Sequence, residues 1–220
     1  IRKEGLKALQ TQEPGMIRIK PKDEVVAPVD TDGTTLHKSS CPSGGTVEVF
    51  LEPMKATRRL IVLGSSPIAR TLVAIARTIG YRTIVGASDA NVQDMEAADE
   101  VCPDFATAAS QAGPNDALVL STQGQRDREA LRAALASSAG YIGMVASRHK
   151  FQTLIQDLAH DPQLGARIAD IHAPAGLDIK AVEPEEIALS IISQIVALRR
   201  SRQIEDAAGN SVERAVESTG

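Results

Sequence analysis

Only two cysteines, Cys41 and Cys102, occur in the 220 residues, too few for the disulfide framework of a small secreted scaffold. They lie far apart, and His37, His149, His160 and His172 offer no compact ligand spacing, so no metal site is expected. No run approaches the roughly 18 apolar residues of a membrane span. The opening Ile-Arg-Lys-Glu-Gly lacks the apolar core of a signal peptide, and the expected location is the cytoplasm. The net charge of −4 is mild and the basic residues are scattered, which gives no surface for nucleic acid. A G-x-S-x-G elbow and a P-loop lysine motif are also missing, so hydrolase and NTPase chemistry lack support. The chain starts at Ile1 rather than Met, as a fragment or a processed product does.

What is present is a change of character near residue 58. Residues 1–57 read as a small β-rich segment or partial domain, with short strands at 16–20 and 25–29 and a turn at Thr31-Asp32-Gly33-Thr34. Residues 46–53 alternate, with Val47, Val49 and Leu51 on one side, and 53–57 read as a linker. Residues 58–200 then alternate strands (60–63, 82–86, 100–102, 117–121, 141–145 and one following 168–171) with helices (67–79, 104–111, 126–137, 147 to about 160, and 184–200). Ile187, Ile191, Ile195 and Leu198 form one stripe on the last helix, and residues 201–220 read as a polar, flexible tail. This order predicts an α/β fold: a doubly wound, mostly parallel, Rossmann-like sheet with the β-rich segment before it. Its switch point should fall between the first and fourth strands, with a pocket lined by residues 64–67, 86–89, 121–124 and 146–148.

The richest stretch is residues 59–69, a buried strand, a tight glycine turn and a helix start. A dinucleotide fingerprint needs glycine for the turn, for close approach of pyrophosphate and for helix packing. Gly64 meets the first need and Ala69 the third, but Ser66 stands at the second and Pro67 follows it. The acid that takes ribose hydroxyls is late, since the second strand runs into Gly86-Ala87-Ser88-Asp89. Gly64 therefore reads either as a scaffold turn or as part of a site for another phosphate-bearing ligand, with Ser65 and Ser66 adding hydroxyls at the helix start. Ser147 and Arg148 open a later helix and offer a second anion contact. Residues 171–179 combine a strand end, Pro174, Gly176 and an acid, which marks His172 and Asp178 as pocket-wall candidates. Cys41 sits among small residues before Gly44 and Gly45, where a thiol can serve as nucleophile or sulfur carrier, or be an incidental loop cysteine. Cys102 ends an apolar strand and reads as packed.

Taken in order, residues 41–53, 64–69, 141–150, 171–179 and 182–191 resemble the XdhC/CoxI-like family of xanthine dehydrogenase accessory proteins, in its C-terminal portion. The resemblance covers roughly residues 39–200. It implies a chaperone, not an ordinary redox enzyme. Such a protein binds molybdenum cofactor, as molybdopterin or its nucleotide form, and assists its sulfuration and insertion into a molybdenum hydroxylase such as xanthine or CO dehydrogenase. The implied partners are that apoenzyme and a cysteine desulfurase or cofactor-biosynthesis protein, with the chain itself a homodimer. Carried onto this sequence, the resemblance makes Cys41 the sulfur-handling thiol. It assigns cofactor binding to Gly44, Gly45, Gly64, Ser65, Ser66, Pro67, Thr122, Ser147, Arg148, His172 and Asp178. Here the family's Cys-Gly-Gly is interrupted by Pro42 and Ser43, its Gly-x-Gly-His is Gly64-Ser65-Ser66-Pro67, and its Thr-His is Thr122-Gln123. The alternatives are an NAD(P)-binding oxidoreductase and a non-catalytic scaffold whose helix stripe covers a protein interface.

Overall fold

A computed structural model describes every residue except 12, 41–43, 55, 56, 88–94, 96, 157, 159–164 and 218–220, with backbone alone at 10 and 206–217. Two compact units emerge, Ile1–Ala56 and Thr57–Gly220. In the first, α1 (Arg2–Thr11) precedes a three-stranded sheet of β1 (Gly15–Pro21), β2 (Thr35–Ser39) and β3 (Val47–Leu51). Their order is β2-β1-β3, with β1 parallel to β2 and antiparallel to β3. Arg18 reaches Asp30, Asp32 and Glu48, which fastens the loop before β2 to the sheet. Residues 25–29, expected as a strand, form none. Pro28 has no N–H for a ladder, and only Val29 makes an isolated bridge, to Thr35. Neither α1 nor β2 was expected; β2 carries no clean apolar alternation, and four of its five residues are half-buried.

The second unit is a six-stranded, wholly parallel sheet in the order β6-β5-β4-β7-β8-β9. The strands are β4 (Arg59–Leu63), β5 (Arg82–Gly86), β6 (Glu100–Cys102), β7 (Ala117–Leu120), β8 (Tyr141–Met144) and β9 (Ile171–His172). The helices are α2 (Pro67–Thr78), α3 (Phe105–Ser110), α4 (Asp127–Ala136), α5 (Arg148–Gln156) and α6 (Pro184–Glu217). The central strands are apolar on both faces because both faces are covered. Leu60, Val62, Val85 and Val119 meet Leu72, Val73 and Ala76 of α2 and Ile191 and Ile195 of α6. Ile61, Leu63, Ile84, Leu118 and Leu120 meet Phe105 and Ala108 of α3 and Leu131, Ala134 and Leu135 of α4.

Charged groups hold the element ends. Buried Asp116 accepts the Arg59 N–H (2.9 Å), the Arg59 Nε–H (2.8 Å) and the Gly113 N–H (2.8 Å), pinning the start of β4 beside β7. Glu186 reaches back from the first turn of α6 to accept the Val182 and Glu183 N–H groups, as a capping box does. The polar tail expected from residue 201 is instead helix as far as Glu217. Its glutamates, alanines and arginines favour helix, and Arg202 anchors it by donating to the Gly140 carbonyl (2.8 Å). Among the described residues no helix is long and apolar enough to cross a membrane.

Candidate functional site

The sheet order reverses between β4 and β7, and the turn after β4 is shaped by its neighbour. Gly64 has φ +116°, and a Cβ there would lie 2.4 Å from the Ser121 carbonyl oxygen, so only glycine fits. The Gly64 N–H donates to Gly86 (2.9 Å) and the Ser121 N–H to Leu63 (2.8 Å), which joins the ends of β5, β4 and β7. Gly86 stands where dinucleotide sites commonly carry an acid. A Cβ at Gly86 would come within 2.9 Å of the Ala108 Cβ, so glycine lets α3 pass closely.

Ser66 is turned inward. Its Oγ accepts the Ala69 N–H (3.0 Å) and lies 2.5 Å from the Ser121 Oγ, with both serines buried. Pro67 has no N–H to offer, and the Arg70 N–H goes to the Ser66 carbonyl (3.0 Å). Two first-turn positions at which a dinucleotide-binding helix offers amides to pyrophosphate, Pro67 and Ala69, thus lack a donor or are internally satisfied. The Ser66 hydroxyl, expected from sequence to face a phosphate, caps α2 instead.

A small cleft lies at this edge, lined by Gly64, Ser65, Ala87, Phe105, Thr122, Gln125 and Arg126, and it encloses about 20 Å³. That is room for about one water. Among the described residues no carboxylate lines it. Arg126, its cation, lies 5.0 Å from the centre of the Phe105 ring and also pairs with Glu129. The loop forming the far wall has three left-handed residues, Gln123 (φ 53°), Gly124 (φ 90°) and Arg126 (φ 57°). Behind it the Thr122 hydroxyl donates to buried Asp127, whose other oxygen pairs with Lys150 Nζ at 2.6 Å. A wider hollow of about 470 Å³ lies elsewhere, beside Arg77, Tyr81, Arg82 and Asp99. Its arginines already pair with Asp99 and Glu100, and it lies at the amino end of β5, away from the switch point.

The residues singled out from sequence fall into separate groups. Gly64, Ser65, Ser66, Pro67 and Thr122 meet at the switch point. Ser147 accepts the Lys150 N–H (3.2 Å) and caps α5, while Arg148 is exposed. The Asp178 carboxyl is held below its ordinary range by the Lys180 ammonium first and by the Arg148 charge more weakly, so Arg148 and Asp178 share one surface. His172 stands apart from the turn. Its ring stacks on Tyr141 (centroids 4.9 Å apart, planes at 11°), over Gly143, whose missing side chain leaves room for the Tyr141 ring. Burial lowers the His172 pKa, and the Arg202 charge adds to this, so the imidazole is neutral at pH 7. The Tyr141 hydroxyl donates to Gln194 (2.7 Å), which also accepts the Gly176 N–H (2.9 Å); this ties the 171–179 segment to α6. Gly44 and Gly45, with φ +66° and +99°, precede β3 in the first unit. Cys41 and Asp89 lie outside the described residues. Cys102 is buried, and burial raises its thiol pKa.

Asp127 and Lys150 were not singled out from sequence. Ser121 was expected in the pocket lining with residues 122–124 and is instead buried against Ser66, while Asp127 was legible only as an acid at the positive end of a helix. Nothing linear joins Asp127 to Lys150 on the next helix.

The comparisons with known proteins match this fold. The XdhC Rossmann domain family matches residues 60–195. Uncharacterized protein YqeB of Escherichia coli (strain K12) is 27% identical over 209 residues, covering 90% of this chain and 36% of that protein. A probable xanthine dehydrogenase component of Bacillus subtilis (strain 168) is 26% identical over 162 residues, covering 70% of this chain and 47% of that protein. The chain thus spans less than half the length of either curated relative. The crystal structure of a xanthine dehydrogenase from Bacillus halodurans at 2.80 Å superposes with a TM-score of 0.59 and 24% identity, covering 91% of this chain and 64% of that one, a likeness of fold. With the family match spanning the whole of the sheet but its margins, the chain belongs to the XdhC family and carries its Rossmann domain.

Proposed function

We propose that this chain is part of a maturation factor for molybdenum hydroxylases, binding molybdenum cofactor as molybdopterin or its nucleotide form during sulfuration and delivery to an apoenzyme. Xanthine dehydrogenase is the first client to test, since a relative bears that name, and CO dehydrogenase the second. The observation that carries the reading is the switch-point cleft within the family-matched span. It offers a backbone turn, the Ser65 hydroxyl and the Arg126 cation, with no carboxylate among the described residues of its lining. That donor set suits a phosphate. The fit is to the anionic end of the cofactor alone. A space of about 20 Å³ does not hold a pterin, so the rings would lie outside the cleft across the open sheet edge.

When bound, the cofactor supplies the molybdenum chemistry. The chain's residues bind its phosphate, with Arg148 and Asp178 on a neighbouring surface and Cys41 proposed as the sulfur-handling thiol. The test is reconstitution. Purified chain added to apo-xanthine dehydrogenase with molybdenum cofactor and a sulfur source should raise the activated fraction, and Cys41→Ala should lower that gain. Activation no greater than without the chain contradicts the reading; full activation by Cys41→Ala removes the thiol from it.

A further inference from the structure

We propose that Lys150 is an anion-binding residue of the switch-point cleft, held in reserve by Asp127, which competes with an incoming phosphate for the lysine ammonium. The inference rests on the phosphate-handling reading above and assigns it two residues outside the glycine fingerprint.

Asp127 is a nearly buried carboxylate, 7% exposed, with two partners: the Thr122 hydroxyl and Lys150 Nζ at 2.6 Å. Thr122 lines the cleft, so the carboxylate is one hydrogen bond from it. Lys150 lies against the same wall, since a Cβ on Gly124 would be 3.6 Å from its Nζ. Its side chain is 41% exposed, so the ammonium has one side on Asp127 and another toward solvent. The wall between them is the loop with left-handed Gln123, Gly124 and Arg126. Non-glycine residues hold such backbone only when their surroundings fix it. Here Asp127 fixes the loop from behind, through Thr122 at one end and Lys150 across it.

In this state the cleft encloses room for about one water. A phosphate entering it would push the 122–126 loop outward and draw Thr122 away from Asp127. The ammonium can then follow. It is a point charge on a flexible stem with three donors, which needs no fixed geometry to exchange a carboxylate for a phosphate oxygen. Asp127 and Thr122 act on the ligand through Lys150 and the loop, as positioning residues.

The experiment is calorimetric titration of the full chain and its variants with inorganic phosphate and with pyrophosphate. Lys150→Gln should weaken binding about tenfold, the worth of one charge-assisted hydrogen bond. Asp127→Asn should tighten it about tenfold by removing the competing charge. Thr122→Val, a gentler release of the same clamp, should tighten it by a smaller factor, and it carries the test should Asp127→Asn not fold. An ion pair that only builds structure predicts the opposite sign for Asp127→Asn and Thr122→Val. Weaker binding by those variants, unchanged binding by Lys150→Gln, or no saturable binding by either the unaltered chain or Asp127→Asn overturns the proposal. Phosphate is itself the probe. A chain that follows these signs but retains no molybdopterin therefore refutes the cofactor reading and leaves the role of Lys150 standing.

Discussion

At the end of β4 the chain turns through Gly64 and closes on itself: Ser66 caps α2, its hydroxyl meets Ser121, and both side chains are buried. At the end of β7, on the other side of the switch point, the chain turns through Gln123, Gly124 and Arg126 in left-handed backbone, backed by an Asp127–Lys150 pair that reaches solvent. A dinucleotide fold normally puts its anion contacts on the first of these turns. Here the first turn spends the Ser66 hydroxyl and the Ala69 amide on its own helix, and the cations and adjustable backbone belong to the second. On the proposal above, a fingerprint lost at one strand end does not empty the sheet edge, because the neighbouring strand end supplies the anion site.

Breaking the first turn should cost most. Gly64→Ala drives a Cβ into the Ser121 carbonyl and forces φ +116° on alanine. The expected loss is about 4 kcal/mol, read from urea denaturation. Ser66→Ala removes the α2 cap and leaves the buried Ser121 hydroxyl without its partner, for about 2 kcal/mol by the same measurement. If the first turn is self-satisfied, Ser66→Ala lowers stability while phosphate affinity changes by less than about threefold, under the worth of one hydrogen bond to a charged group. A large loss of affinity with unchanged stability would place the anion back at α2.

The His172 region sharpens the contrast by lying outside both turns. Tyr141→Phe removes the hydroxyl that Gln194 accepts, so about 1 kcal/mol should be lost in urea, with phosphate titration unmoved. The smallest effect expected is the pH dependence of His172. Its pKa is lowered in the folded chain, mainly by burial, whereas the unfolded chain takes up the proton near 6.5. The histidine's contribution is therefore complete above that value and is lost as pH falls through the lower folded value. Urea midpoints followed from pH 8 to about 5 should decline less steeply in His172→Gln than in the parent chain; equal slopes would show that the histidine does not carry this part of the decline.

How much of this was legible in sequence depended on how local the cause was. The apolar runs of β4 and β7 read as strands buried on both faces, because each residue meets a covering helix. The order of strands and helices then implied the switch point, and Gly64 was readable because strand, glycine and helix are contiguous. Residues 25–29 misled because their valines suggest a strand while Pro28 removes a ladder donor. The continuation of α6 past Arg200 was missed because its apolar stripe ends there, although propensity and the Arg202–Gly140 contact carry the helix onward. The site was less legible than the fold. Whether Ser66 faces a ligand or its own helix depends on Ser121, which is adjacent only in space. The meeting of Asp127 with Lys150 likewise depends on how two helix starts converge at the sheet edge.

On the proposed function, this sheet edge handles a phosphorylated pterin in place of a nicotinamide dinucleotide. The most direct test of this is to co-express the chain with molybdenum-cofactor biosynthesis and to identify by mass spectrometry the small molecule that purifies with it. The account predicts molybdopterin or its nucleotide form on the parent chain, with less on Lys150→Gln. A chain that carries NAD(P), binds it saturably on titration and retains no pterin would contradict it.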